Sequence, residues 1–147
     1  MKKWVDYIGV GVGAAIFNGE GKLFITLRGK EAKNERRMWE IPGGSVEFGE
    51  TFEQAIVREM REEVGVEIEV GELLGICNHI IPEEHQHWVS PTYICKIISG
   101  TPTILEPQKC DQIGWFSIEE AIQLPLSIVT KYDISLLQKK YPSGKIV

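Results

Sequence analysis

Between Gly44 and Val66 the chain reads GSVEFGETFEQAIVREMREEVGV, and the acids at its centre constrain what this stretch can be. At about 100° per residue, Glu59 and Glu63 fall on the same side of a helix as Phe52, Ala55 and Ile56, with Glu62 beside them. The acids therefore continue an apolar stripe. A helix that only covered a core would place Leu or Val there, and carboxylates within one turn repel by about 0.2 to 0.5 kcal/mol per pair. Something positive must compensate them. Oxygen ligands crowded on one helix suit a hard divalent cation, Mg²⁺ or Mn²⁺, which keeps waters and bridges phosphate oxygens.

At 147 residues the length prior gives one domain spanning residues 1–147, long enough to bury a substantial core without staples. A hydrophobic content of 43%, 25% charged residues and 15 glycines describe a globular chain with many turns rather than a disordered or fibrous one. The net charge of −5 argues against broad binding of nucleic-acid polymer or membrane surface, although a small cationic pocket would escape such a sum. Cys77, Cys95 and Cys110 form no CxxC pair, so they read as reduced, buried and inert. The N-terminus has neither a long apolar segment nor a small-residue cleavage site, and a cytoplasmic location follows by default.

Spacing adds to the charge pattern. Gly44, Glu50, Arg58-Glu59, an apolar Met60, Glu62-Glu63, Gly65 and an apolar Val66 fill every defined position of a pattern that resembles the Nudix box. A merely solvated acidic helix would explain the charge but not the two glycines and Glu50. The resemblance implies an α/β fold, a Nudix α/β/α sandwich with a mixed β-sheet between helices. It further implies hydrolysis of a nucleoside diphosphate linked to another group. Divalent metal would sit on Glu59, Glu62 and Glu63 with the Gly44 carbonyl as an extra ligand. Glu62 and Glu63 are the candidate general bases, and Arg58, outside the acidic arc, would pair with an acid such as Glu50 and orient the helix end.

Along the chain, Val5 to Phe17 reads as a long strand in which Gly9, Gly11 and Gly13 alternate with Ile8, Val10 and Val12. No helix opens after the glycines, so a dinucleotide-binding loop is excluded; they leave one strand face bare for a helix or a bound base. Asn18 to Gly21 is a turn, and Lys22 to Arg28 returns as a hairpin strand. By the family analogy Arg28 reaches substrate phosphates; the alternative is a plain surface charge. Gly29 to Met38, with Lys30, Lys33, Arg36 and Arg37, reads as a mobile basic loop. Thr51 caps a helix to Val64, and Gly65 closes it in a left-handed conformation.

Beyond the box, Val66 to Val70 and the segment after Gly71 read as two strands. His87 to Ile98 reads as another, with Pro91 at a bulge or an edge. An extended piece is expected in Thr101 to Pro107, and a strand in Ile113 to Ser117. Ser117 opens a helix to Leu124 through a capping box, and a last helix from Ile128 to Lys139 should bury Ile128, Ile134, Leu136 and Leu137. Trp39, Trp88 and Trp115 lie in strand patterns and read as core, with stacking on a base as the alternative. His85 and His87 read as ordinary polar contacts rather than metal ligands, and His79 alone supports nothing.

The Trp39 to Gly49 run, the His87-Trp88-Val89 strand start and Leu105 to Cys110 look similar to MutT-related nucleoside triphosphate diphosphatases. That likeness implies a nucleotide cleaved to nucleoside monophosphate and pyrophosphate, Glu106 and Lys109 near the substrate or a dimer edge, and a homodimer. Glu83, Glu84 and Glu106 are loop acids outside the box that could act as base. Pro82, sixteen residues past the box, resembles the mark of an ADP-ribose pyrophosphatase, which is the alternative substrate class. A non-catalytic nucleotide-binding regulator is the second alternative.

Overall fold

The computed structural model describes residues 7–32 and 35–144; Val5 and Lys33 lie outside them. Seven strands and three helices follow in the order β1 (Gly9–Ile16), β2 (Leu23–Arg28), β3 (Trp39–Glu40), β4 (Gly43–Ser45), α1 (Phe52–Val64), β5 (Glu67–Ile81), β6 (Gln86–Ser99), β7 (Cys110–Phe116), α2 (Ile118–Ala121) and α3 (Ile128–Lys140). A 3₁₀ turn over Pro82–Glu84 joins β5 to β6. One sheet is mixed, in the order β4-β1-β6-β5, with β1 parallel to β6; the other is antiparallel, β3-β2-β7. Among the described residues no helix is long and apolar enough to cross a membrane.

The helices cover the sheets on two sides, as the α/β/α expectation requires. Val12, Ala14 and Ile16 of β1 pack on Ala55, Ile56, Met60 and Val64 of α1, while Ala15, Leu23 and Ile25 pack with Ile118 and Ala121 of α2 and Ile134 and Leu137 of α3. Period-2 alternation in β1 thus sends neighbouring residues to different cores.

Capping follows the sequence closely. The Thr51 hydroxyl accepts from the Gln54 N–H while the Gln54 side chain accepts from the Thr51 N–H, and Ser117 and Glu120 repeat the arrangement on α2. Gly65 ends α1 at φ 71°, and its N–H donates to the Arg61 carbonyl.

Several expectations change. Among the described residues the first strand begins at Gly9, after Tyr7 and Ile8; the expected start at Val5 lies outside them. The two pieces expected on either side of Gly71 are one strand, β5, because register shifts between Val70 and Leu73 absorb the irregularity as a bulge. Pro91 is at neither bulge nor edge: it pairs opposite Ile76 inside β6, which has a neighbour on each side. The parallel ladder tolerates its missing N–H by skipping from Val10–Val89 to Gly13–Thr92 without changing register. Thr101 to Pro107 has no regular structure. Ile128 is exposed, since the buried stripe of α3 is Thr130, Asp133, Ile134 and Leu137.

Gly65 gives a direct test of the α1 terminus. An alanine there must hold a left-handed conformation with its Cβ 3.3 Å from Leu105 Cδ1, which costs about 1–2 kcal/mol. Gly65→Ala should therefore lower Tm by several degrees in thermal denaturation followed by circular dichroism.

Candidate active site

Four chain segments meet at the box. Gly43 and Gly44 in β4 pair with Gly13 and Val12 of β1: a Cβ on Gly43 would lie 1.9 Å from the Val12 carbonyl oxygen, which excludes any other residue, and one on Gly44 would lie 2.2 Å from the Glu59 carboxyl carbon, which would have to move aside. The Glu59 carboxylate is thus laid directly on the Gly44 backbone.

Arg58 fixes this arrangement. Its Nε and Nη2 donate to the two Glu50 oxygens at 2.7 and 2.9 Å, and Nη2 also donates to the Ser45 carbonyl at 2.9 Å. Nη1 donates to Glu59 at 3.0 Å and to Glu62 at 3.2 Å. The expected pairing with Glu50 is present and bidentate. The Arg58 guanidinium holds the Glu50 carboxyl down at about 2.

The acids on the inner side of α1 are held differently. Burial raises the Glu63 carboxyl well above the usual range, and the charges of Glu59, Glu40 and Glu106 push the same way. Burial raises Glu59 too, against the opposing pull of Arg58. Glu106 is brought near Glu63 by the loop after β6, where the Thr103 and Leu105 N–H groups donate to the Val64 and Glu63 carbonyls at 3.0 and 3.1 Å. Those bonds satisfy the helix end and dock the loop in one stroke.

These groups border a cavity of about 500 Å³ whose walls come from both sheets, α1 and α3. Gly44, Glu59, Glu63, Arg28, Glu106 and Lys109 all line it. Glu62 does not; its carboxylate is about half exposed and turned to Arg58. Glu83 and Glu84 lie outside it, exposed on the 3₁₀ turn. Arg28 sits on a half-buried partner, with Nη1 3.0 Å from both oxygens of Glu40. Lys109 is 3.7 Å from Glu106. In the basic loop, the Arg36 Nε donates to the Ala32 carbonyl at 2.8 Å and Arg37 pairs with Asp111.

Sequence reasoning missed four lining groups: Glu35, Glu40, His79 and Asp133. His79 is buried with Nε2 3.0 Å from a Glu35 oxygen, and Glu35 also accepts from the Ile128 N–H. Asp133 was findable, since Thr130, Asp133, Ile134 and Leu137 share the i, i+3, i+4, i+7 spacing of a buried stripe. The others give no local signal. Trp39 and Trp115 pack on Phe116 and Phe24 with ring centroids 5.4 and 5.1 Å apart, as core residues do, whereas Trp88 lines the cavity. Cys77 and Cys95 are buried as expected, the Cys95 thiol pushed up to about 12 by burial; Cys110 is only half-buried.

Among the described residues no group of three or more His, Cys, Asp or Glu side chains converges as a finished metal cage. The donor set nevertheless fits a hard cation. Glu59 and Glu63 are oxygen donors on adjacent turns; burial and the charge of Glu62 oppose the ionisation of Glu59, burial and the charge of Glu59 that of Glu63, and a divalent ion relieves both penalties while keeping waters.

A model of the NUDIX domain matches residues 8–137. The chain is 36% identical over 131 residues to a CTP pyrophosphohydrolase of Escherichia coli (strain K12), covering 85% of this chain and 86% of that one. It is 40% identical over 85 residues to the 8-oxo-dGTP diphosphatase of the same organism, covering 58% and 61%. A MutT NUDIX hydrolase from Burkholderia pseudomallei superposes with a TM-score of 0.82 at 33% identity, covering 89% and 98%.

The Glu63 environment predicts a pH-dependent stability. A carboxyl whose folded value lies above its ordinary 4.5 favours the native state at low pH and loses that contribution as pH rises through the folded value. Without divalent cation, Glu63→Gln should raise Tm at pH 8 and leave it unchanged near pH 4. Adding Mg²⁺ should raise the Tm of the parent protein more than that of the variant, as read by scanning calorimetry.

Proposed function

The chain belongs to the NUDIX domain family and is a Nudix hydrolase, a pyrophosphohydrolase of nucleotide derivatives, and from that premise we propose that it cleaves a nucleoside triphosphate to nucleoside monophosphate and pyrophosphate. The observation that carries the reading is the Glu59 carboxylate laid against Gly44, with Glu63 one turn further along α1, on the wall of a nucleotide-sized cavity. In this reading water adds to the α or the β phosphorus, the P–O bond of the α–β bridge breaks so that pyrophosphate or the nucleoside monophosphate leaves, and the proton of the water passes to a carboxylate.

Glu59, Glu63 and the Gly44 carbonyl would hold Mg²⁺ or Mn²⁺, with Glu62 at the rim. When bound, the cation neutralises phosphate charge and acidifies a coordinated water. The protein's own part is positioning. Arg58 keeps Glu59 against Gly44 and clamps the start of the box to its helix. Arg28 stands on the cavity wall, its guanidinium held by the half-buried Glu40, where a triphosphate would meet it. Lys109 and Glu106 form the edge beside Glu63. Of the two candidate bases Glu63 is favoured, because it lines the cavity and Glu62 does not. The CTP pyrophosphohydrolase and 8-oxo-dGTP diphosphatase relatives support a triphosphate substrate, while an ADP-ribose pyrophosphatase relative, 33% identical over 103 residues, keeps ADP-ribose as the alternative.

A panel of nucleoside triphosphates, ADP-ribose and dinucleoside polyphosphates, assayed with Mg²⁺, tests the assignment. Release of pyrophosphate and monophosphate from at least one triphosphate at the highest kcat/KM is the expected result, and best turnover of ADP-ribose overturns it. Glu63→Gln should lower kcat at least ~100-fold, the loss expected for removing an acid–base group, with Glu59→Gln comparable and Glu62→Gln milder.

A further inference from the structure

The sheet β4-β1-β6-β5 has a face that the cavity does not use. On β5, Cys77, His79 and Ile81 are buried on the side of the cavity and α3, whereas Ile76 and Ile80 alternate with them and stay half exposed on the other side. There α1 covers only part of the sheet, over Val12, Ala14 and Ile16 of β1, Ile68 of β5 and Cys95 of β6. The sheet runs on past the helix. Val10 lies beside Val89 and Val89 opposite Asn78, while the Val46 N–H donates to the Val10 carbonyl, so one row crosses from β5 to the end of β4. Pro91 pairs with Ile76 on one side of that row and His87 with Ile80 on the other.

Size and charge decide what this face fits. Ile8, Val10, Ile76 and Ile80 are 53%, 36%, 50% and 53% exposed, and Phe48, two residues past Val46, is exposed completely. Together these five leave on the order of 600 Å² of side chain open, the upper end of what a monomer's largest patch shows and close to the ~800 Å² that each partner buries in a stable complex. The rows hold no Asp, Glu, Lys or Arg, although a quarter of the chain is charged, and Glu47, between Val46 and Phe48, lines the cavity instead. A chain of net charge −5 meeting its own copy must keep carboxylates out of the contact, because a two-fold axis sets each one near its image. This face meets that condition. We propose that it is the contact between two copies of the chain, packed sheet on sheet about a two-fold axis. Phe48 of each copy seats in the low middle of the other face, where Val89 is half-buried and Pro91 buried. The homodimer contact then lies behind the cavity floor and not at the Glu106–Lys109 edge.

Sedimentation velocity on the full chain, from about 1 to 100 μM, tests this without reference to substrate. The parent should sediment as twice 16.6 kDa at the upper concentrations, and added NaCl should tighten the association, since salt screens the repulsion between two acidic chains. Ile76→Glu and Ile80→Glu, which place carboxylates against their images, should each weaken it at least tenfold. Phe48→Ser should weaken it as well, and decides the matter if the strand variants fail to fold, because a fully exposed side chain supports nothing in its own chain. Ile122→Glu, on an exposed residue of α2 outside the face, should leave the dimer within twofold of the parent. A monomeric parent at 100 μM, a dimer that ignores the Phe48 and β5 variants, or an equal loss in Ile122→Glu would overturn the proposal.

Discussion

The two hydrogen bonds from Arg58 to Glu50 tie the loop before α1 to the body of the helix. Glu50 lies in the loop before α1, Arg58 lies two turns into the helix, and the same guanidinium takes the Ser45 carbonyl at the end of β4. A planar fork with five donors can satisfy a carboxylate, a carbonyl and a flank of Glu59 at once; a lysine ammonium could not match that geometry. With β4 tied to α1, Gly44 is pressed onto Glu59 closely enough that a methyl group there would have to push the carboxylate aside. The acid side of the helix therefore keeps its place although its own charges oppose it.

That opposition is offset elsewhere in the same helix. Ala55, Ile56, Met60 and Val64 are fully or almost fully buried against β1, and each large apolar side chain there contributes roughly 1.5–3 kcal/mol. Repulsion between neighbouring carboxylates on a helix is several times smaller per pair. The helix can thus carry Glu59 and Glu63 on the border of its apolar stripe without unfolding. The docked loop adds to this, since Thr103 and Leu105 satisfy the terminal carbonyls of α1 while bringing a further acid, Glu106, towards Glu63.

What the sequence made legible follows from this division. The box helix, its caps and the Arg58–Glu50 pair depend on residues at most a few turns apart, so fixed spacing reveals them. The α/β/α layering was legible from alternating patterns and from the family resemblance together. Pro91 was misplaced because a proline signals an edge only on average, and a gap in a parallel ladder can accommodate it in a central strand. The division of β5 failed because a bulge and a strand end look alike in one dimension. Glu35, Glu40 and His79 stayed invisible for a stronger reason: each acquires its meaning from a partner in another element, as Glu40 does from Arg28 across β2 and β3.

The two walls of the cavity are accordingly encoded in different ways. The wall that carries the Glu59–Glu63 pair is written in one contiguous helix, its members within one or two turns of each other. The wall opposite is assembled over distance: Thr92 and Asp133 are 41 residues apart, and the Ile41 N–H that donates to Thr130 on the same helix reaches across 89. A substitution in α1 changes the charge on one wall of the cavity, whereas one in α3 or β6 changes which polar atoms line the other. Because the two walls share a cavity but few direct partners, the second can vary while the first stays intact.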